Sequence, residues 1–281
     1  MAVTTAEVQA SGSWPAVGEL LRAWRRRRSL SQLELALNAD VSARHVSFVE
    51  TGRARPSREM VLHLAEQLDV PLRERNGLLL AAGYAPQFAE RSLEMPEMEP
   101  VRQALDRFLR AHEPYPAVVI DRHYNLLAGN DAVNLLTEGV AAELLEPPAN
   151  TLRVTLHPEG MAPRIANLEE WSGHLLAQLC RQAAITGDPA LEELHQELAG
   201  YPGVSRGEPA YEGVIGAEIL LPLRIRDGDV ELAFFSTIST FGTPIDITLA
   251  ELAIEAFYPA NARTAARLLE DIGAGINGSA T

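Results

Sequence analysis

The chain has 281 residues, 47% of them apolar, and its 24 basic side chains, all arginine, stand against 38 acidic ones for a net charge of −14. That length buries one large core or two ordinary ones, and no run of about 18 apolar residues is present to span a bilayer. The start MAVTTAEVQASGSWP lacks the basic beginning and apolar centre of a secretion signal, so a cytoplasmic protein of two domains is expected.

The charge divides unevenly: residues 14–88 hold 11 arginines against 8 acidic side chains, the remainder 13 against 30. An acidic chain with one basic segment points to a local polyanion-binding face, and the acidic remainder needs another task. In chain order, residues 1–14 are small and polar and read as a disordered tail. Val17, Leu20, Leu21 and Trp24 form a helical stripe that runs into RRRR at 25–28. Ser31 with Glu34 makes a capping box ahead of LELALNA. After a short turn Ser42 caps a third helix through Glu50, REMVLHLAEQLDV is a fourth, and ERNGLLLAAGY a fifth.

The stretch SARHVSFVETGRARPS at 42–57 carries the sharpest chemistry. At about 100° per residue, Val46 and Val49 face inward, while Arg44, Ser47, Phe48 and Thr51 face out with His45 on the flank. A helix that follows a helix and a tight turn, and that offers arginine, hydroxyls and an aromatic ring outward, has the chemistry of a major-groove reader. Arg53 and Arg55 in the following loop are placed to meet phosphates.

Residues 89–100, AERSLEMPEMEP, are acidic, hold two prolines and read as a linker. Val101, Ala104, Leu105, Phe108 and Leu109 then give an apolar helical stripe that must dock on something, either a second copy or its own sheet. AVVID and YNLLAGN form a hairpin, with a short helix from Asp131. Residues 161–199 are mostly helical, and the one cysteine, Cys180, is read there as core packing. EILLPLRI and VELAFFSTIST flank RDGD as a second hairpin. LAELAIEAFYP is open between strand and helix. The later domain is therefore α+β, with an antiparallel sheet of about five strands.

Over roughly residues 15–83 of an expected domain at 15–88, the chain resembles the XRE family of helix-turn-helix regulators, on LSQLELALNADVSARHVSFVETGRARPS and LHLAEQLDVP. The resemblance implies an all-α, five-helix, lambda-repressor-like domain. In it Gln32 opens the first motif helix near the DNA backbone, Ser42, Ala43 and Arg44 lie at or beside base-reading positions, and Arg25 pairs internally with Glu50. The other arginines of the RRRR block are left for phosphates or solvent. ETGRARPSREMVLHLAEQLDVPLRERNGLLLAAGYAP, PYPAVVIDRHYNLLAGN, TLRVTLHPEGMAPRIANLEEW and FFSTISTFGTPIDITLAELAIEAFYPAN extend the likeness to the MmyB-like subfamily. That implies a PAS-like sensor domain at 101–272, with a fatty acid or similar apolar molecule as ligand, and a flexible tail at 273–281.

The residues expected around such a ligand are Phe234, Phe235, Ile238 and Phe241 near Leu126 and Trp171, with Phe234 and Phe235 on opposite faces of their strand. Arg164, His157 and His174 are the polar anchors considered. Arg164 suits a carboxylate fork, or a structural pair with Glu169 or Glu170. No metal site and no catalytic residues are expected: GAGING at 273–278 matches a dinucleotide fingerprint only formally, and HExxH and P-loop patterns are absent. The expectation is a homodimeric, non-enzymatic regulator that binds double-stranded DNA and a small apolar ligand. The alternative is a helix-turn-helix scaffold or antitoxin-like protein whose second domain serves assembly alone.

Overall fold

The computed structural model describes residues 16–205 and 221–278, so the expected tail at 1–14 and residues 279–281 lie outside the described residues. They form two compact units, one of residues up to Arg91 with 181–189 and 244–250, the other of 92–180, 190–243 and 251 onward.

The first unit contains five helices, α1 (Val17–Arg27), α2 (Gln32–Asn38), α3 (Ala43–Glu50), α4 (Arg58–Gln67) and α5 (Leu72–Ala81). Ser31, Ser42 and Ser57 each accept a backbone N–H at a helix start, and Ser31 and Glu34 complete a reciprocal capping box. The core joins Leu21 and Trp24 of α1, Leu35 of α2, Val46 and Val49 of α3, Val61 and Leu64 of α4, and Leu78 and Leu79 of α5. Helices α1 and α3 meet backbone to backbone at Gly18, where a β-carbon would lie 2.3 Å from the Val49 carbonyl oxygen.

The second unit is built on a five-stranded antiparallel sheet in the order β2-β1-β5-β4-β3. Strand β1 (Ala117–Ile120) forms a hairpin with β2 (Leu126–Gly129), and β3 (Leu223–Asp227) turns at Gly228, φ 58°, into β4 (Val230–Thr240). The last strand, β5 (Ala253–Pro259), enters the middle, pairing Val118 with Glu255 on one side and Ile238 with Glu255 on the other. The open reading of LAELAIEAFYP is thereby divided: Ile247–Ala250 makes a single helical turn and AIEAFYP is strand.

One sheet face is covered by α6 (Glu99–His112). Leu105 and Leu109 are buried, and the His112 ring meets the Tyr258 ring edge-on at 4.8 Å. Phe235 stacks on Tyr258 on this same face. The stripe at Val101, Leu105 and Phe108 thus docks on its own sheet. The expected linker is also partly built in: a 3₁₀ turn at Pro96–Met98 buries Met98, and the Arg102 guanidinium binds the carbonyls of Leu93 and Met95.

The opposite face looks towards short helices α7 (Val133–Thr137), α8 (Ala142–Leu145) and α9 (Thr151–Leu156), then the long α10 (Leu168–Thr186). Helix α11 (Pro189–Leu198) follows. Cys180 is exposed, correcting its assignment to the core: Leu176, Leu179 and Ala183 take the inner stripe of α10 and leave it outside. The final helix α13 (Ala262–Gly278), numbered after the turn α12 (Ile247–Ala250), runs through GAGING, where a flexible tail was expected. Propagation from an already formed helix costs far less than nucleation, so a glycine-rich end can continue one.

Candidate DNA-reading face and ligand cavity

In the first unit the site is α3 and the loop after it. Ser42 accepts the His45 N–H at 3.1 Å and fixes the start of α3. Val46 and Val49 anchor the helix in the core, which leaves Arg44 exposed and Ser47 and Phe48 half-buried on the outer side. The Phe48 ring serves as a platform for two cations, with the Arg44 guanidinium carbon 5.0 Å and that of Arg53 6.0 Å from its centroid. Thr51 returns its hydroxyl to the Ser47 carbonyl at 2.7 Å. Ala43 is partly packed on the core, and His45 has a buried Nε2 with no hydrogen-bond partner among the described residues.

Behind this face lies a buried ion pair. Arg25 Nε and Nη2 donate to the two Glu50 carboxylate oxygens at 2.6 and 2.9 Å, and the two side chains are 10% and 2% exposed. Gln32 Nε2 donates to the same carboxylate at 2.8 Å, so the residue expected near the DNA backbone also ties α2 to α3. Burial opposes ionisation of Glu50, but the hydrogen bonds from Arg25 and Gln32 and the Arg25 charge outweigh it and hold the carboxyl below its ordinary value.

Of the rest of the arginine block, Arg26 is exposed, whereas Arg27 and Arg28 are engaged within the protein. Arg27 lies over the Trp24 ring at 4.5 Å, and Arg28 donates to the Leu68 and Asp69 carbonyls at 2.9 and 2.8 Å, capping the end of α4. Arg55, exposed in the loop, leans on the Tyr84 ring and donates to the Ala82 carbonyl at 3.1 Å.

In the second unit a cavity of about 700 Å³, mouth included, lies between the sheet and the helices from α7 to α10. Its wall is Val118, Leu126, Val133, Leu136, Leu145, Ala149, Leu152, Val154, Met161, Leu175, Leu223 and Phe257, with Trp171. The polar groups on it are Thr137, Thr151, Thr155, Glu255 and the Trp171 indole. The lining has the mostly apolar character of a small-molecule site.

A family model of the MmyB-like transcription regulator ligand binding domain matches residues 101–270, and a helix-turn-helix model matches residues 21–75. The chain belongs to the MmyB-like transcription regulators. A search of curated proteins gave no match. This MmyB-like protein is therefore a DNA-binding transcription regulator with a ligand-binding domain, and both families are of regulator type.

Within the MmyB-like domain the structure brings only Leu126 and Trp171 of the expected ligand residues onto the cavity wall. Arg164 is committed elsewhere: its guanidinium donates to the carbonyls of Leu135, Leu136, Glu138 and Arg226 at 2.9–3.2 Å, closing the end of α7. It pairs with neither Glu169 nor Glu170. Phe234 is fully buried off the wall, Phe235 is on the far face, Ile238 is 49% exposed, and Phe241 lies beyond the end of β4. His174 stacks on Trp171 from outside the lining, and His157 accepts the Glu159 N–H and meets Tyr201. Sequence reasoning missed Glu255, Phe257 and the three threonines. The signal was the parity of AIEAF, which sets Glu255 and Phe257 on one face of a strand.

Proposed function

We propose that the protein is a homodimeric, sequence-specific regulator acting in the cytoplasm, each helix-turn-helix unit reading one half-site and the second domain sensing a small apolar molecule. A PAS-like sensor is in keeping with the sheet order and the cavity on one face. The observation that carries the DNA reading is the outer face of α3, where Phe48 supports Arg44 as an exposed, oriented fork. Such a fork can bridge guanine O6 and N7, whereas Arg53 in the loop is placed for phosphate.

The test is a mobility-shift titration on the protein's own promoter region against a random duplex. Arg44→Ala is expected to cost about 1–3 kcal/mol at the specific site, while Arg53→Ala weakens both duplexes alike and flattens the salt slope. Equal affinity for both duplexes, untouched by either substitution, favours the scaffold reading instead. The apolar wall supports a hydrocarbon-bodied ligand, and a fatty acid fits that body.

A further inference from the structure

The cavity's polar groups are nearly all hydrogen-bond acceptors. Thr155 donates its hydroxyl to the Thr151 carbonyl at 2.7 Å, Thr151 to the Tyr124 carbonyl at 3.2 Å, and Thr137 to the Val133 carbonyl at 3.3 Å. With their protons committed to backbone, these hydroxyls turn only lone pairs towards a ligand. The remaining donor on the wall is the Trp171 indole N–H, buried and without a partner among the described residues. No arginine or histidine is among the described residues that line the space.

Glu255 stands opposite this set, at the centre of the sheet. No ion pair reaches it among the described residues. Protein encloses its carboxyl, yet the residue keeps some accessible surface, and that surface is cavity wall. Burial pushes the carboxyl up from the ordinary carboxylate value, and a hydrogen bond with Ser236 offsets this only in part. An acid in apolar surroundings with no cation is costly to ionise, and a cation beside it removes that cost.

We propose that the cavity takes an apolar amine, its hydrocarbon body against the leucine and valine wall and its protonated amino head at Glu255. An ammonium group brings three donors and no acceptor, which the threonine lone pairs and the Glu255 carboxylate match. The aromatic faces of Trp171 and Phe257 on the same wall add attraction for a cation. A carboxylate head meets the reverse: one indole donor, three hydroxyls already committed, and a second carboxyl in place of a cation.

This rests on the sensor reading above, and the experiment separates the two. Decylamine, decan-1-ol and decanoate are titrated below micelle formation into the full-length protein and into Glu255→Gln, by calorimetry and by thermal shift. The expected result is decylamine binding at least about tenfold tighter than decanoate, with the substitution removing about tenfold of the amine's affinity and less than threefold of the alcohol's. Decanoate binding as well as decylamine overturns the proposal, as does an alcohol equal to the amine in the unsubstituted protein. Should Glu255→Gln melt early, the ranking of the three heads in the unsubstituted protein decides alone. If none of the three binds, the small-molecule sensor itself falls, not merely its head group.

Discussion

Arg25 and Glu50 illustrate how one pair serves both architecture and recognition. Twenty-five positions apart, they lock α1 to α3, and Gln32 adds α2 to the same carboxylate. Glu50→Gln leaves a buried guanidinium with half a partner, and losing one member of a buried pair costs about 3–5 kcal/mol. Because the folded Glu50 pKa lies below its unfolded value, the pair's contribution is whole above the ordinary carboxylate range and drains away as pH falls through it. Amide exchange in α1 and α3, measured from neutral pH down into the acid range, is expected to lose protection more steeply in the unsubstituted protein than in Glu50→Gln. Parallel slopes would mean that the pair is not what acid dissolves. The resemblance made this pair legible in the sequence. What no spacing rule shows is that Arg28 spends itself on three carbonyls and Arg164 on four, since backbone acceptors leave no mark in a sequence.

Among the elements, α1 and α3 cross closely enough that Gly18 has the Val49 and Glu50 carbonyls at 2.3 and 2.8 Å from where a β-carbon would stand. On an isolated helix Gly→Ala is worth about 1 kcal/mol of stability. Here the obstacle is backbone, which cannot turn aside as a side chain does, so Gly18→Ala is expected to destabilise the bundle and lower operator affinity by misplacing α3. Thermal melting with a DNA titration checks both; a more stable, fully binding variant removes the close-crossing argument. The helices of the first unit were readable because apolar periodicity marks them and serine caps open three of the five. The fate of AIEAFYP was not, because a strand paired on both sides has burial constraints on both faces and loses clean alternation. That ambiguity also hid Glu255, which becomes a cavity residue only once the segment is known to be strand.

For the molecule as a whole, one helix-turn-helix unit makes few contacts, and dimers on half-sites about 34 Å apart are the usual remedy. Sedimentation at micromolar concentration is expected to give a dimer; a monomer with and without operator removes that part of the proposal. Since α6 buries its stripe on its own sheet, a dimer seam must be sought on other surfaces. Ligand control demands more than occupancy. A molecule bound equally by the DNA-competent and incompetent states shifts neither, so the cavity's ligand must change affinity when operator is present. Operator titrations with and without decylamine are expected to differ by about 5- to 150-fold, the usual span of allosteric coupling. Identical curves at saturating ligand would mark the cavity as structural.

The central position of β5 sets an order of events during synthesis. The bundle's core is complete once Tyr84 has been made, whereas the sheet lacks its middle strand until Ala253 to Pro259 emerge. At about 5–20 residues per second, the roughly 170 residues between take on the order of 10–30 s. Throughout that interval the nascent chain has a reading head and no closed cavity, with one bare-edged hairpin from Gly129 and a second only from Thr240. Any chain interrupted there retains the residues that face DNA and lacks the strand that answers to a ligand, so deaf copies of the regulator are a built-in hazard of this topology.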